Sequence, residues 1–368
     1  MALPKTSKAA VLVEYRKPLE LREVPIPELE PGAMLVRVDT ATICGTDLHI
    51  WKGEMTAFSN IPSIPGHEIV GRVVAIGKGG KTDALGQPLE EGDRVVWTYV
   101  NCDRCYWCTI ARQPTLCPSF TMYGWARCDA YPYLMGGFAE YVYILPQCKV
   151  IRVPDEVPSS LAASASCALR TVVHGFERLR GFTTQETVLI QGTGPVGLYA
   201  TALAKVSGAG QIIVFGAPAS RVALAKEWGA HHVINVEETS AEQRKALVME
   251  WTDGRGPDVV IECSGTTAAL QEGFDLVRRG GRYLVIGGGD PTPLTIPSMI
   301  FLTKQIEVIG ILSGYAPHYY RALQFLKNYR DLFPFQKLIT NTYSLEQINE
   351  AFARTMNLQE IKPAVVPA

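Results

Sequence analysis

The stretch "VLIQGTGPVGL", residues 188–198, decides the fold of the second half of this chain. Gly192, Gly194 and Gly197 form a G-x-G-x-x-G pattern between an apolar β-type run and a helical run. In that context the first glycine permits a tight turn, the second lets backbone amides approach a pyrophosphate, and the third lets helix and strand pack closely. The stretch therefore predicts a dinucleotide-binding turn at the N-terminus of a helix.

The residues on either side of this turn extend the same pattern. From about Glu186, apolar strand-like runs such as "QIIVFG" and "PDVVIECSG" alternate with helical stretches, which predicts a parallel sheet covered by helices on both faces. The first part of the chain, to about residue 155, instead contains short β-type runs broken by Pro and Gly, typical of a β-barrel-like domain. We therefore expect an α/β protein with domains at 1–165, 166–312 and 313–368, the last returning to the first.

Composition excludes several classes of protein. A chain of 368 residues with 47% hydrophobic content is long enough for two domains with large cores. Thirty-five basic and thirty-six acidic residues give a formal charge of −1, with no basic block for a nucleic acid or an anionic membrane. No signal-peptide-like or transmembrane-length apolar run is found, so we expect a soluble, cytoplasmic protein with a small-molecule partner.

The end of the second strand of the alternating part bears on the choice of dinucleotide. An NAD site commonly has Asp or Glu there, about 20 residues past the glycines, to accept hydrogen bonds from the ribose. This chain has Gly216 at that point. The missing carboxylate removes a repulsion against a 2′-phosphate, which Arg221 could neutralise, but Arg221 is equally interpreted as a solvated helix residue. NAD and NADP therefore both remain candidates.

Clustered cysteines predict a metal site. Cys102, Cys105 and Cys108 are separated by two-residue gaps, and Cys117 follows after eight more residues. Without an export signal these thiols are expected to be reduced, and four thiols at this density suit a closed tetrahedral zinc site. Four protein ligands leave no open position, so we expect this ion to stabilise a lobe of the structure rather than to react.

A second metal site is predicted from residues that are far apart. The run "TICGTDLHIW" offers Cys44, "IPGHEIVG" offers His67 and Glu68, and "ASASCALR" offers Cys167. A reactive zinc ion needs fewer protein ligands and one exchangeable position, and these residue types provide suitable donors. Their meeting at one ion is a prediction about the tertiary structure.

These motifs together resemble those of the zinc-dependent, medium-chain alcohol dehydrogenase family, over essentially the whole chain. The matching family motifs are GHExxGxxxxxG at 66–77, GDRV at 92–95, GGFAEY at 136–141 and ECSG at 262–265. The resemblance implies a GroES-like catalytic domain, a Rossmann domain inserted into it, a cleft along their junction, and homodimers or homotetramers. It also implies two zinc ions per subunit together with NAD or NADP. The family usually has a seven-residue gap before the last lobe cysteine, so Cys128 is an alternative to Cys117.

By position, the resemblance implies specific roles. Cys44, His67 and Cys167 would bind the catalytic zinc, with Glu68 as a neighbouring carboxylate or occasional ligand. The zinc acts as a Lewis acid on an alcohol oxygen, and hydride passes to the nicotinamide. Thr46 would accept the proton, which leaves through the cofactor ribose to His49. The expected cofactor-binding residues are Gly192, Gly194, Pro195, Val196, Gly197, Gly216, Arg221, Ser264 and Lys362.

Several alternatives remain open at this level. Asp47 is interpreted as orienting His67 or as a turn residue, and Lys362 as a cation facing the cofactor pyrophosphate or as a solvated charge. Trp51, Met55 and Phe58, together with an aromatic segment at 120–136, predict an apolar pocket or ordinary core packing. We expect an apolar secondary alcohol as substrate, cyclic and aromatic alcohols included. The alternatives are a polyol dehydrogenase of the sorbitol or threonine type, a zinc-independent reductase, or a non-catalytic NAD(P)-binding zinc protein.

Overall fold

The protein consists of two compact units in the computed structural model, which describes residues 3–288, 290 and 292–367. The first unit comprises Met1–Arg170, Gly314–Arg330 and Phe335–Ala368, and the second comprises Thr171–Ser313 and Asp331–Pro334. The chain thus changes unit after Arg170 rather than after residue 165, and again after Ser313 rather than after residue 312. The four residues from Asp331 to Pro334, which the sequence interpretation assigned to the returning segment, belong to the second unit.

The amino-terminal part of the first unit is rich in β-structure. A β-hairpin-like pair, β1 and β2, stands beside a larger sheet in which neighbouring strands are mostly antiparallel. Val36, Val73 and Phe138 belong to the apolar core of this unit. The elements are β1 (Thr6–Val11), β2 (Glu20–Pro25), β3 (Met34–Thr42), α1 (Gly45–Lys52), β4 (Glu68–Ile76), β5 (Arg94–Trp97), α2 (Tyr106–Thr109), β6 (Tyr141–Ile144), β7 (Val150–Arg152) and α3 (Ser159–Ser164). A 3₁₀ turn (Pro114–Leu116) and a π-helical turn (Ala165–Leu169) complete this part.

The register of β3 and β4 brings distant parts of the sequence to one edge of the larger sheet. The two strands are antiparallel, and Thr42 at the end of β3 pairs with Glu68 at the start of β4. Because an antiparallel pair places the end of one strand beside the beginning of the next, Cys44 and His67 leave the sheet at the same edge.

The second unit is built from alternating strands and helices. Its central strands are largely buried, as in β9, where every residue from Ile212 to Gly216 is buried, as expected for a parallel sheet that helices cover on both faces. The elements are α4 (Arg170–Leu179), β8 (Thr187–Gln191), α5 (Pro195–Val206), β9 (Gln211–Gly216), α6 (Ala219–Glu227), β10 (His232–Asn235), α7 (Ala241–Trp251), β11 (Val259–Glu262), α8 (Thr267–Leu276), β12 (Arg282–Val285), α9 (Met299–Lys304) and β13 (Glu307–Gly310).

The sheet of the second unit is parallel throughout, with strand order β10-β9-β8-β11-β12-β13. The order reverses direction between β8 and β11, and in open parallel sheets ligands bind outside the carboxyl ends of the strands at such a switch point. The G-x-G-x-x-G turn follows β8, so it lies at this point. The predicted α/β fold class is confirmed.

The last part of the chain adds elements to the first unit. Strand β15 pairs antiparallel with β3, and Ala364 faces Thr42. This pairing places the start of β15 near the edge from which Cys44 and His67 emerge. The elements are α10 (Ala316–Tyr329), β14 (Ile339–Tyr343), α11 (Ile348–Met356) and β15 (Lys362–Val365), with 3₁₀ turns at Phe335–Leu338 and Leu345–Gln347. Within the described residues, none of the helices combines the length and the apolarity needed to cross a membrane.

Candidate functional site

Four side chains with metal-binding donor atoms converge in the first unit. One precedes α1, two stand at the start of β4, and one lies in the π-helical turn. Their donor atoms all lie within 4.8 Å of one another, and they belong to Cys44, His67, Glu68 and Cys167. The structure therefore brings together the four residues that the sequence interpretation grouped. Two thiols, an imidazole and a carboxylate form a donor set that suits Zn²⁺.

His67 is oriented by Asp47. Oδ1 of Asp47 lies 3.0 Å from Nδ1 of His67, and it also accepts a hydrogen bond from the Gly66 backbone N–H. Oδ2 accepts a hydrogen bond of 2.8 Å from the Cys44 N–H. The other ring nitrogen, Nε2, is buried and has no hydrogen-bond partner among the described residues. An imidazole that donates from Nδ1 to a carboxylate presents the lone pair of Nε2, and this orphaned atom fits a metal ion.

The two thiols of the cluster lie close enough to share a hydrogen bond. That hydrogen bond lowers the pKa of Cys44 well below its ordinary value, and the charge of Lys362 lowers it further, although burial acts in the opposite direction. The same contact raises the pKa of Cys167 well above its ordinary value, and burial adds to this effect. A divalent cation removes the need for a shared proton, because it stabilises both thiolates.

Glu68 lies in a buried charge pair. Lys362 Nζ lies 2.8 and 2.7 Å from the two carboxylate oxygens, and Thr42 Oγ1 also donates to Oε2. Burial raises the pKa of Glu68 to about 7, while Lys362 acts to lower it. The sequence interpretation placed Lys362 either toward a cofactor pyrophosphate or in solvent. The structure instead buries it, with Nζ directed to Glu68 and to the Ile43 carbonyl at 3.3 Å, because a buried carboxylate requires a counter-charge.

Thr46 and His49, the two residues expected to move a proton, both lie on α1. Thr46 Oγ1 is 3.8 Å from Cys44 Sγ, so its hydroxyl lies beside the candidate metal ligands. The His49 side chain is 30% exposed, and its Nδ1 lies 2.5 Å from Oε2 of Glu54. Glu54 was not identified from the sequence, although its position five residues after His49 could have indicated a partner.

The four lobe cysteines also converge. Cys105 Sγ lies 3.5 Å from Cys108 Sγ and 4.0 Å from Cys117 Sγ, and all four sulfur atoms, including that of Cys102, lie within 4.8 Å of one another. Backbone N–H groups help to lower the pKa of Cys102 to about 6, whereas burial and sulfur contacts raise that of Cys108 to about 12. The longer final gap is accommodated by the 3₁₀ turn before Cys117. Cys128 lies elsewhere, in the apolar core.

The G-x-G-x-x-G turn has the close approaches that its glycines require. Gly192 has φ +117°, and a Cβ there would lie 3.0 Å from the Ser264 backbone nitrogen. A Cβ on Gly197 would lie 1.9 Å from the Gly192 carbonyl oxygen. Gly194 is the N-cap of α5, and Pro195 and Val196 form its first turn. The backbone N–H groups of this turn are available for a phosphate at the N-terminus of a twelve-residue helix.

The end of β9 is filled by a side chain from this turn. A Cβ on Gly216 would lie 2.2 Å from both Oγ1 and Cγ2 of Thr193, and Thr193 Oγ1 donates to the Ala217 carbonyl at 3.1 Å. Arg221 lies in α6 and is only 9% exposed, and burial lowers its pKa. It is therefore not the solvated helix residue of one sequence interpretation.

Ser264 is held against the G-x-G-x-x-G turn by Glu262. Oε1 of Glu262 accepts hydrogen bonds from the Ser264 N–H and Oγ–H, both 2.6 Å, and from the Gly265 N–H at 2.7 Å. Glu262 is fully buried at the end of β11. The sequence interpretation used "ECSG" as a family motif and expected Ser264 to bind the cofactor, but it gave Glu262 no role. In the structure, Glu262 holds the loop formed by the residues that follow it.

The aromatic segments expected near a substrate meet each other. Phe58 is 63% exposed, and its ring centroid lies 5.8 Å from that of Trp125, which comes from the second aromatic segment. Met55 is half-buried. Trp51 packs against the apolar core and donates from Nε1 to the Lys17 carbonyl at 2.7 Å. Core packing therefore accounts for Trp51, while Phe58 presents an apolar surface.

Two protein-family models match the chain. A model described as "Alcohol dehydrogenase GroES-like domain" matches residues 30–155. A second, described as "Zinc-binding dehydrogenase", matches residues 195–328. The first match includes three of the four converging side chains described above, and the second begins within the G-x-G-x-x-G turn.

Several known proteins are similar over nearly the full length of the chain. The 5-exo-hydroxycamphor dehydrogenase of Pseudomonas putida is 33% identical, over 98% of each chain. The sorbitol dehydrogenase of Bacillus subtilis is also 33% identical, over 99% of this chain and 98% of that one. Among solved structures, an alcohol dehydrogenase from Thermotoga maritima has a TM-score of 0.92 at 33% identity and covers 99% of this chain and 100% of its own.

Proposed function

The chain belongs to the zinc-dependent, medium-chain alcohol dehydrogenase family, and from this premise we propose that it uses zinc and NAD or NADP to oxidise an alcohol to a ketone or aldehyde. It is an oxidoreductase of the alcohol and polyol dehydrogenase class. The observation that carries the proposal is the convergence of Cys44, His67 and Cys167. Nε2 of His67 is buried there and has no hydrogen-bond partner among the described residues.

The proposed catalytic zinc ligands are Cys44, His67 and Cys167. Zinc held by three protein ligands supplies a Lewis acid that makes an alcohol proton easier to remove. Asp47 fixes the ring orientation of His67, and Glu68 adds a buried carboxylate whose charge is balanced by Lys362. Because Lys362 occupies both oxygens of Glu68, we propose that Glu68 stays outside the ligand set while this pair persists.

We propose that Thr46 and His49 conduct the proton released from the substrate. The Thr46 hydroxyl lies beside Cys44, where it can accept a hydrogen bond from a substrate hydroxyl and donate one in turn. His49 is partly exposed, so a proton that reaches it can pass to solvent. Glu54 orients the His49 ring through Nδ1 and leaves Nε2 available on the other side.

We also propose a structural role for the four lobe cysteines, and we propose the domain roles, the location and the oligomeric state. The Cys102, Cys105, Cys108 and Cys117 cluster would hold a structural zinc, since four thiolates close the coordination shell. The first unit would be the catalytic domain and the second unit the cofactor domain. A cytoplasmic location is supported by nine cysteines without a disulfide among them. A homodimer or homotetramer is supported by the family resemblance.

The proposed substrate is an apolar secondary alcohol, cyclic or aromatic alcohols included. Two observations support it: the apolar surface of Phe58 beside Trp125, and the similarity to an enzyme named for a hydroxylated camphor, which is a bicyclic alcohol. The second candidate is a polyol, because a sorbitol dehydrogenase is equally similar. For the cofactor, both NAD and NADP are proposed, because Gly216 supplies no carboxylate that would favour the free ribose hydroxyls of NAD.

A substrate and cofactor screen tests this proposal. Purified protein is assayed with cyclohexanol-like, benzylic and sorbitol-like alcohols, each with NAD and NADP, by the absorbance of the reduced nicotinamide. We expect faster turnover of the apolar secondary alcohols, and equal or better turnover of polyols contradicts the substrate proposal. A Cys44→Ser variant separates the enzyme from a non-catalytic binding protein: we expect it to bind the cofactor but to lose alcohol oxidation. Oxidation at the parental rate would contradict the zinc mechanism.

A further inference from the structure

Cys167 lies in an unusual segment of backbone. The turn Ala165–Leu169 is π-helical, between the α-helices α3 and α4. At its end the Arg170 backbone N–H donates to the carbonyls of Ala165 and Cys167 rather than to that of Ser166. Single π-helical turns inside helices are rare and are concentrated at functional sites, because they change the direction in which a side chain points. This turn therefore determines where the Cys167 thiol is presented.

The Arg170 side chain bonds to a carbonyl of the same π-helical turn. Its Nε donates to the Ser166 carbonyl, and Nη1 donates to the Gly314 carbonyl at 3.2 Å. Arg170 is only 1% exposed, so these contacts form out of water. The guanidinium thus bonds the π-helical turn on one side and the segment before α10 on the other.

Two aromatic rings enclose the same guanidinium. The Cζ atom of Arg170 lies 4.6 Å from the ring centroid of Tyr99 and 4.8 Å from that of Tyr319. Tyr99 follows β5, and Tyr319 belongs to α10. Cation–π attraction is strongest for a desolvated cation, as here. The Tyr319 hydroxyl is buried and finds no hydrogen-bond partner among the described residues, so the ring rather than the hydroxyl accounts for its position.

We propose that Arg170, held between Tyr99 and Tyr319, is a positioning residue that fixes the π-helical turn so that Cys167 meets the other zinc ligands. We name Arg170, Tyr99 and Tyr319 the guanidinium clamp. Asp47 links Cys44 and His67 through hydrogen bonds. The clamp would restrain the third ligand, Cys167. The inference rests on the proposed function, since it takes Cys167 as a zinc ligand.

Zinc release measures this restraint directly. Full-length protein with two zinc ions per chain is mixed with an excess of a colorimetric chelator, and the two release phases are assigned with Cys44→Ser and Cys105→Ser variants. Arg170→Met keeps the bulk of the side chain but not its charge. In this variant we expect zinc release from the catalytic site to quicken by about tenfold or more, as for other residues that orient ligands. The phase of the four-cysteine lobe should stay unchanged and serves as the internal control.

A spectroscopic readout distinguishes positioning from general loosening. With Co²⁺ in place of zinc, the d–d and thiolate-to-cobalt bands report the geometry of the ligands. We expect these bands to change in Arg170→Met and to be partly restored in Arg170→Lys, which keeps a cation between the rings. Release rates and spectra equal to those of the parent in Arg170→Met would overturn the proposal.

The ring variants keep the proposal testable if Arg170→Met does not fold. Tyr319→Leu removes one face of the clamp and should quicken catalytic-site release, whereas Tyr319→Phe keeps the ring and should behave like the parent. If both variants release zinc equally fast, the clamp is contradicted. If Cys44→Ser still binds two zinc ions per chain, the proposed zinc site itself fails. That result differs from an Arg170→Met variant that releases zinc like the parent, which would contradict only the clamp.

Discussion

Nδ1 of His67 lies 3.0 Å from Oδ1 of Asp47, and neither side chain is exposed to solvent. The same carboxylate receives the backbone N–H of Cys44, so one residue sets the positions of two candidate zinc ligands that come from different elements. The relationship explains why a fully buried carboxylate, that of Asp47, stands in the polar run that contains Cys44. This carboxylate is part of the ligand scaffold.

Replacement of Asp47 tests this scaffold. Asp47→Asn cannot accept the Cys44 N–H and the His67 N–H as a carboxylate does, so we expect the affinity for catalytic zinc to fall by about 10- to 100-fold. Competition with a metal-buffering chelator measures that affinity. The exposed Asp129→Asn is the matched control and should keep the parental affinity. A parental affinity in Asp47→Asn would mean that Asp47 is merely a turn residue.

Cysteine variants decide the fourth ligand of the lobe. We expect Cys117→Ser to lose one zinc ion per chain and to unfold at a lower temperature, because a structural zinc site contributes directly to folding. Cys128→Ser should keep both ions, since Cys128 lies in the apolar core. Metal content by atomic spectroscopy and thermal unfolding provide the readouts. The reverse pattern of metal loss would assign Cys128 instead.

Two glycines of the G-x-G-x-x-G turn should respond differently to replacement by alanine. A Cβ on Gly197 would lie 1.9 Å from the Gly192 carbonyl oxygen, so Gly197→Ala should lower the melting temperature even without cofactor. A Cβ on Gly194 meets no atom within 4 Å, so Gly194→Ala should melt like the parent but bind NAD(P)H more weakly, because the second glycine of this motif lets the backbone approach a pyrophosphate. Fluorescence titration measures binding. Equal melting temperatures for the two variants would contradict this division of roles.

Thr193 and Gly216 should limit how the proposed ribose site at the end of β9 can be redesigned. Gly216→Asp alone places its Cβ 2.2 Å from the Thr193 side chain, so we expect a destabilised protein. The double variant Thr193→Gly/Gly216→Asp removes the clash and should favour NAD over NADP by at least about tenfold. The new carboxylate and the 2′-phosphate of NADP are both negative, and two such charges at 4 Å repel by about 4 kcal/mol at an effective dielectric constant of 20. Dissociation constants for both reduced cofactors test this. No change in their ratio would show that the ribose lies elsewhere.

Glu360 should give the first unit a pH-dependent stability. Glu360 is fully buried, and hydrogen bonds from Tyr343, Arg354 and other neighbours outweigh the effect of burial and hold its pKa below the ordinary value. A lowered folded-state pKa stabilises the protein above the unfolded-state pKa, and the stabilisation is lost as the pH falls through the folded-state value. Glu360→Gln should therefore lower the free energy of unfolding by about 1–3 kcal/mol at pH 7, and by less below about pH 4.

Denaturant unfolding at several pH values measures this difference. The exposed Glu91→Gln is the matched control and should follow the parent at every pH. A Glu360→Gln difference that does not change between pH 7 and pH 3 would mean that packing, rather than charge, is responsible.

Some of these features were accessible from the sequence because they depend on short spacings. The G-x-G-x-x-G turn is a contiguous piece of strand, turn and helix, and its glycines are needed for contacts made within that piece or with the adjacent strand. The four lobe cysteines lie within residues 102–117, so the chain itself keeps them close. The alternation of apolar strands and helical stretches likewise predicted the parallel sheet, because it reflects burial on both faces.

Tertiary structure alone decided several contacts between distant side chains. Lys362 bonds to Glu68 across 294 positions of sequence because β15 pairs with β3, and no local pattern indicates that pairing. Arg170 reaches Gly314 across 144 positions. Local spacing determines the neighbours of a residue through chain geometry, whereas contacts between separate elements follow from how whole strands and helices pack. The sequence by itself therefore indicated which residue types could bind metal and which fold each half adopts. Packing between separate elements determined the partners of Glu68 and Arg170.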